Sequence, residues 1–507
     1  MRQPTRTSGI TSLLALALTV GSAACQFHTP QELSGTAGSN GGPGTGGAVG
    51  TGADGGAPTG TGGTTVPPPP PPPCKDLQCR QSSCAQTLSG CMQPACTGGA
   101  FTTVSGKVYD PAGKVPLYNV DVYIPNAPLA DFTDGPSCDS CANRTSGSPI
   151  VKTVTDSSGS FTLGLHGSDV PAGASVPLVM QVGKWRREVM IDNVTPCQDN
   201  PLADPNLTRL PQNQTEGHLP RIALTTGGAD ALECLLLKIG ISKDEFTPES
   251  GTGRVNLFSG GSHNGTAMAM NSAGTNAYDP SVGGGAMFTD AETWWEGGMS
   301  SLNAYDLILH SCEGVTDTMD TNKSMNARMA MQMYADLGGR VFASHWHNYW
   351  IEHGTGMWPT VANFNHQNDP KSPFTATIDT SFPKGMALSE WLVNVMASTT
   401  PGQLVIQGAK HTVDTVNAAS QRWIYSTTPT STQYFSFNTP VGGAEACGKV
   451  VFSDLHVSSG SGGANNDSSS PSKPFPTGCV TTDLSPQEKT LEFMLFDLSS
   501  CVILGPG

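Results

Sequence analysis

The sequence predicts a multidomain protein in which an all-β sandwich precedes an α/β domain with a doubly wound, mainly parallel sheet, both carried on a disordered amino-terminal linker. Three observations give this. Short alternating apolar runs with Gly, Asp and Pro turns occupy 101–200. Strand-like and helix-like patterns then alternate through 220–507. Ahead of both, residues 26–73 are rich in Gly, Thr, Ala and Ser and end in a proline run, Pro67 to Pro73. Such a stretch has too little apolar surface to fold and behaves as a flexible coil followed by a stiff polyproline spacer.

Composition narrows the function classes. The chain has 507 residues and a net charge of −15, and 13% of its residues are charged, about half the roughly 25% of an ordinary soluble domain. Its 60 glycines and 39 prolines rule out a coiled coil. The acidic balance and the lack of a basic stripe argue against a nucleic-acid partner. Fourteen cysteines point to an oxidising compartment.

Residues 1–25 read as an export signal. Arg2 and Arg6 form a positive start, and Ile10 to Val20 form an apolar segment too short to span a membrane as a stable helix. Gly21-Ser22-Ala23-Ala24-Cys25 resembles a bacterial lipobox, with Ser22 where Leu is usual. The resemblance implies lipidation at Cys25 and anchoring to the cell envelope, at the outer membrane or cell surface. An ordinary cleaved signal is the plainer alternative. The 26–73 tether would then hold the folded part away from the membrane.

Residues 74–100 carry Cys74, Cys79, Cys84, Cys91 and Cys96. Their spacing does not match paired zinc ligands, so a disulfide-stapled collar is expected, with its connectivity open. The sandwich strands follow as Val104 to Tyr109, Val120 to Ile124, Val151 to Thr155, Ser160 to Leu163, Val176 to Val182 and Arg187 to Ile191, with turns at Asp110-Pro111-Ala112-Gly113 and Asp156-Ser157-Ser158-Gly159. The order SGKVYDPAG…VPLYNVDVYI…TVTDSSGSFTL resembles the carboxypeptidase regulatory-like, transthyretin-like sandwich, which implies a non-catalytic module. An insert carries Cys138 and Cys141, expected to pair with each other or to reach Cys197. Lys184-Trp185-Arg186-Arg187 reads as a strand end or interdomain contact, with polyanion binding as the alternative.

The α/β domain starts with the strand Arg221 to Thr226 and the turn Gly227-Gly228-Ala229. Asp230 and Glu233 then match a capping box for a helix over Ala231 to Ile239. Strands follow at Arg254 to Phe258, Tyr305 to His310 and Arg340 to Ser344. Between the last two, Ser324 caps a helix on which Met325, Met329, Met333 and Leu337 recur every fourth residue. Met386 to Met396 is helical. Gln433 to Phe437 and Lys449 to Asp454 are strands. Ser485-Pro486-Gln487-Glu488 opens the last helix with an N-cap, Pro at N1 and Glu at N3. The segments YDLILHSCEG, ADLGGRVFASHWH, CGKVVFSDLHV and LSPQEKTLEFMLFDLSSCV resemble the class I glutamine amidotransferase-like, flavodoxin-like fold, in its trehalose-utilisation-like branch.

Ligands of such sheets bind at the carboxyl ends of the strands. The resemblance gathers Gly227, Gly228, Cys312, Glu313, His345, Trp346, His347 and His456 at that edge. In one reading Cys312 is a nucleophile, His345 or His456 its base, and Glu313 the group orienting that base. The family elbow reads Gly-x-Cys-x-Gly, however, and here His310 holds the first glycine position. The late His-x-Glu pair is also missing, because Val457-Ser458 follows His456. In a second reading His345, His347 and His456 bind zinc, with or without Asp454, since alternate residues of a strand share a face. In a third these residues are structural or line a ligand pocket, with Gly227 and Gly228 before a helix and Trp346 as contacts. Trp294, Trp295, Trp350 and Trp358 fit a packed core as well as saccharide stacking.

The expected function is therefore an exported binding or scaffold protein, for glycans or peptidoglycan, with no cofactor. The alternative is a hydrolase using Cys312 or a histidine-bound zinc, so enzyme status stays open. With Cys25 set aside, an odd number of cysteines is left, and Cys312 is the candidate free thiol.

Overall fold

The computed structural model describes residues 77, 96–138, 141, 144–164, 170–260, 274–314, 323–443, 445–456, 473–480 and 482–502. The expectations for the export signal, Cys25, the tether and Cys74, Cys79, Cys84 and Cys91 lie outside these residues. The protein is a mixed α/β structure with several sheets, one of them ten-stranded.

Seven strands form the first part: β1 (Thr103–Lys107), β2 (Asp121–Pro125), β3 (Pro149–Val154), β4 (Ser160–Leu163), β5 (Gly173–Val182), β6 (Trp185–Val194) and β7 (Asp199–Leu202). They make two sheets, ordered β4-β1-β7 and β3-β2-β5-β6. The turn before β4 shows why its residues are needed. Asp156 Oδ1 accepts the backbone N–H groups of Ser158 and Ser160 at 2.8 and 3.0 Å. Gly159 follows at φ +74, where a Cβ would lie 2.6 Å from Pro116.

The large sheet is built from β8 (Ile222–Thr225), β9 (Val255–Ser259), β10 (Thr289–Asp290), β11 (Leu307–His310) and β12 (Arg340–Ser344), and later from β14 (Phe374–Ile378), β15 (Gln403–Ile406), β17 (Ser420–Thr427), β18 (Thr430–Thr439) and β19 (Gly448–Ser453). A small ribbon, β13 (Ala362–Phe364) with β16 (Val413–Val416), lies apart from it. The order is β10-β9-β8-β11-β12-β19-β18-β17-β14-β15. The first six strands run parallel. The remaining pairs, from β19·β18 outward, are antiparallel. The sheet is thus a parallel half extended by an antiparallel half.

Helices α1 (Leu232–Lys238), α2 (Ala291–Glu296), α3 (Met325–Asp336), α4 (Pro383–Asn394) and α5 (Pro486–Ser499) cover the sheet. Strands β8, β11, β12 and β19 are buried along their whole length, as parallel strands covered on both faces must be. Alternate residues feed two separate cores. Ile222, Leu224, Leu307, Leu309, Phe342 and Val451 join one; Ala223, Ile308, Val341, Ala343, Val450 and Phe452 join the other. The first core is continuous with that of β1–β7, so the two parts share apolar packing. Tyr118 stacks on Phe493, and Trp185 meets Phe496 edge-on.

Several expectations need correction. Asp230 does not cap α1: its carboxylate accepts from Ser344 Oγ at 2.6 Å, and the cap position falls to Ala231. A buried serine at the end of β12 outcompetes the local backbone. Ser324 caps its helix as expected, accepting from Ala327 N, and the Met325, Met329, Met333 and Leu337 row is about half-exposed. Helix α3 instead buries Ala327, Ala330, Met331, Tyr334 and Ala335, small residues that allow close approach around one tyrosine. Cys138 pairs with Cys447 and Cys141 with Cys501, rather than with each other or with Cys197, whose partner is Cys96. The insert is therefore stapled to the large sheet and to the segment after α5. The last helix keeps its capping box between Ser485 and Glu488.

Lys184 resolves the basic cluster as an internal contact. Its ammonium donates to Asp306 Oδ1 at 2.6 Å, Thr133 O at 2.8 Å and Gly135 O at 2.7 Å, which uses all three of its donors. Removing one member of a buried pair strands the other charge. Lys184→Ala is expected to destabilise the protein by about 3–5 kcal/mol in urea unfolding, while the exposed pair partner substitution Lys114→Ala changes stability by less than about 1 kcal/mol.

A second interface group is acidic. Asp110 and Glu492 face each other with both side chains buried, and burial pushes Asp110 up to about 6 and Glu492 well above the usual carboxylate range. The folded state therefore binds more protons than the unfolded chain. That contribution is complete at pH values below the ordinary carboxylate range and is lost as pH rises through the raised values. Glu492→Gln keeps a donor without a titrating proton. Its stability relative to wild type is expected to rise from about pH 5 to about pH 8, by up to ~1.4 kcal/mol per pH unit in urea titrations; a gap independent of pH would contradict the assignment.

Candidate functional site

The parallel strands bring distant segments to one edge. The register sets His310 opposite Thr225 and Ala343, and Ser344 opposite Ser453. The residues that follow these strand ends therefore converge: Thr226-Gly227-Gly228 after β8, Cys312-Glu313 after β11, His345-Trp346-His347 after β12, and His456 after β19. Chain order reverses between β8 and β11, the position where open α/β sheets leave a crevice.

At this edge Cys312 Sγ lies 3.3 Å from His345 Nδ1. One ligand atom each from Cys312, His345 and His456 falls within 4.8 Å of the others. All three side chains are buried. His345 takes φ +39, which turns the chain sharply as it leaves β12. His456 Nε2 is buried with no hydrogen-bond partner among the described residues. Burial pushes the Cys312 thiol well up, against the N–H groups of Trp346 and Gly314, which favour its anion. Burial also holds His345 well below the usual imidazole range and takes His456 down to about 3. The free thiol and both rings are neutral at neutral pH.

His347 and Glu313 belong to another cluster. The extended geometry assumed for His-x-His stops at Ser344, and His345–Asn348 form a 3-10 turn. With three residues per turn, side chains two apart diverge. His347 stacks on His310 with ring centroids 4.6 Å apart, and its Nδ1 accepts from Trp350 Nε1 at 3.1 Å. Glu313 accepts from Lys323 Nζ at 3.2 Å and lies 3.7 Å from His347 Nε2. Its carboxylate is held by Lys323 and faces His347. Trp294, Trp295, Trp350 and Trp358 are core residues, and only Trp346 of the five keeps partial exposure, tilted over His345 at 4.3 Å. Gly227 lies against backbone: a Cβ there would sit 2.0 Å from Cys312 O. Its lack of a side chain lets the β8 loop cross β11, where Ala229 N donates to Cys312 O at 3.2 Å.

The amino ends of the same strands carry a second feature, which the sequence did not disclose. A cleft of about 650 Å³ is lined by Phe382, Trp423, Phe437, Gln421, Asn438 and the lysines Lys384 and Lys449. Both ammonium groups donate to the carboxylate of Asp497, Lys449 at 3.2 Å. Lys449 also donates to Asp497 O at 3.0 Å. Arg340 adds a third cation, with Nη2 3.4 Å from Ser500 O. One carboxylate thus serves two lysines, while Arg340 donates to the carbonyls of Gly338, Cys447 and Ser500. Burial, with Lys384 and Arg340 nearby, pushes Lys449 down to about 7. Against its own burial, the two lysines hold Asp497 down to about 2. Lys384 and Asp497 are 113 positions apart, and Lys449 and Asp497 are 48 apart, so no local motif exists. The one signal was a lysine inside the otherwise apolar strand β19.

No family model matches the chain, and no curated protein matches it. Among solved structures, a ThuA-like protein from Bacteroides uniformis is similar at 13% identity, over 34% of this chain and 68% of that one, with a TM-score of 0.21. Two cohesin–X-dockerin complexes from Acetivibrio cellulolyticus are similar at 20% and 17% identity, over 30% and 28% of this chain and 79% and 85% of theirs, with TM-scores of 0.14 and 0.15. These are weak neighbours, and at such TM-scores they bear on neither fold nor activity. Four disulfides are present among the described residues, which fits an extracytoplasmic protein. No helix among the described residues is long and apolar enough to cross a membrane.

Proposed function

We propose that this chain is an exported binding protein of the cell envelope that holds an acidic glycan in the cleft between Lys384, Lys449, Trp423 and Asn438. The surplus of cations over carboxylates at that cleft carries the reading. A chain with a net charge of −15 sets two lysines, Lys384 and Lys449, on the one carboxylate of Asp497. Two of the three N–H donors of Lys384 are taken by Asp497 and Ser500, which leaves one for a ligand anion. A uronate supplies that anion, and its hydroxyls suit the amides of Gln421 and Asn438. A cleft of about 650 Å³ is within the range of small-ligand sites, roughly 300–1,000 Å³.

In this reading Cys25 carries the lipid and 26–73 is the spacer. The carboxypeptidase regulatory-like sandwich is a rigid module and the amidotransferase-like part holds the ligand, at the outer membrane or cell surface. Hydrolysis through Cys312 is less well supported. A thiolate–imidazolium pair needs charge on both groups, and burial opposes charge on each.

Calorimetric titration with an oligogalacturonide, beside a neutral maltooligosaccharide of similar length, tests the reading. The acidic sugar is expected to bind, to weaken with added salt, and to lose about tenfold in affinity in Lys384→Ala. Equal binding of the neutral sugar, no binding of the acidic one, or an unchanged affinity in Lys384→Ala would refute it.

A further inference from the structure

The carboxyl edge supports a second site, independent of the cleft. We infer that Cys312, His345 and His456 bind a zinc ion through one sulfur and two imidazole nitrogens. The three ligand atoms already lie within 4.8 Å of one another, and Cys312 Sγ is 3.3 Å from His345 Nδ1. Zinc–sulfur bonds of about 2.3 Å and zinc–nitrogen bonds of about 2.0–2.1 Å span such a group after small side-chain movements.

Three further features point to a cation. His456 Nε2 is buried with no hydrogen-bond partner among the described residues. A buried polar nitrogen left unsatisfied is costly, and a metal–ligand bond would satisfy the ring. The backbone N–H groups of Trp346 and Gly314 are hydrogen-bond donors to Cys312 Sγ. The cysteine itself is free and buried in a protein whose other described cysteines are paired.

Sulfur and imidazole donors select zinc over magnesium or calcium, which take oxygen. When the sulfur–zinc bond forms, the thiol proton leaves to solvent. The two neutral imidazoles bind through their lone pairs, and the site passes from neutral to a net charge of one. Three protein ligands leave a fourth position for water or another oxygen donor, the arrangement of open rather than closed zinc sites. The set differs from His345, His347 and His456, because His347 packs on His310 and lies beside Glu313.

The full chain, stripped with chelator and reloaded, provides the test. Elemental analysis is expected to find one zinc per chain after dialysis. Cobalt in its place is expected to give intense tetrahedral bands in the visible and a thiolate-to-cobalt band in the near ultraviolet. Cys312→Ser loses the near-ultraviolet band, and His456→Gln weakens zinc binding at least tenfold. His366→Ala, which alters a ring stacked on Trp346 but supplies no ligand, keeps both signals. Thermal unfolding of each variant checks that it is folded; if Cys312→Ser does not fold, His456→Gln decides through loss of the tetrahedral bands. Zinc-free wild type at saturating zinc, a thiolate band that survives Cys312→Ser, or unchanged binding in His456→Gln would overturn the proposal. Oligogalacturonide binding is expected to be unaffected by any of these substitutions, so the two sites stand or fall separately.

Discussion

The buried carboxylate of Asp306 is the tie on which the architecture depends. It sits one residue before β11 and accepts from Lys184 of the β5–β6 turn, from Gly135 N of the insert, and from Arg221 N just before β8. One side chain therefore joins the sandwich, its insert and the first residues of two adjacent parallel strands. Burial alone would raise its proton affinity, and the Lys184 ammonium opposes that. Because β8 and β11 start from a common anchor, Leu307 lies opposite Ile222, and each later residue follows in register. A slip of one residue would exchange the two cores that alternate along these strands.

Strands of four to six residues carry that alignment from one edge of the sheet to the other, and the two edges differ in chemistry. At the amino edge Arg340 and Lys449 are paired neighbours at the start of β12 and β19. Lys449 donates to the carboxylate and the carbonyl of Asp497 at the end of α5, and Arg340 donates to the carbonyls of Cys447 and Ser500. At the carboxyl edge the strands deliver a thiol and two imidazoles that burial keeps neutral. The first environment gathers cationic side chains around one carboxylate; the second gathers sulfur and imidazole lone pairs. Opposite ends of β19 thus contribute to both, through Lys449 and His456.

Much of this plan was legible in the sequence where local rules and tertiary packing agree. The strands ending at His310 and Ser344 are continuous apolar runs buried on both faces, and the Ser485–Glu488 capping box is a local bond that nothing overrides. Cys312 stood out by cysteine parity, and the structure leaves it free. Failures share a cause: a distant partner outbid the local pattern. Ser344 took Asp230 from its helix. Cys447 and Cys501, far along the chain, claimed Cys138 and Cys141. The strand ended at Ser344 as expected, but the positive φ of His345 led into a 3-10 turn that separated His345 from His347. The cleft lysines had no motif, because their common partner lies on another element.

Zinc-edge anomalous diffraction from zinc-soaked crystals of the full chain bears most directly on the central claim, that strand register assembles a cation site at the carboxyl edge. One strong peak is expected within roughly 2.0–2.3 Å of Cys312 Sγ and a nitrogen of each of His345 and His456. No peak there at saturating zinc, or a peak centred on His347 and Glu313 instead, would contradict it.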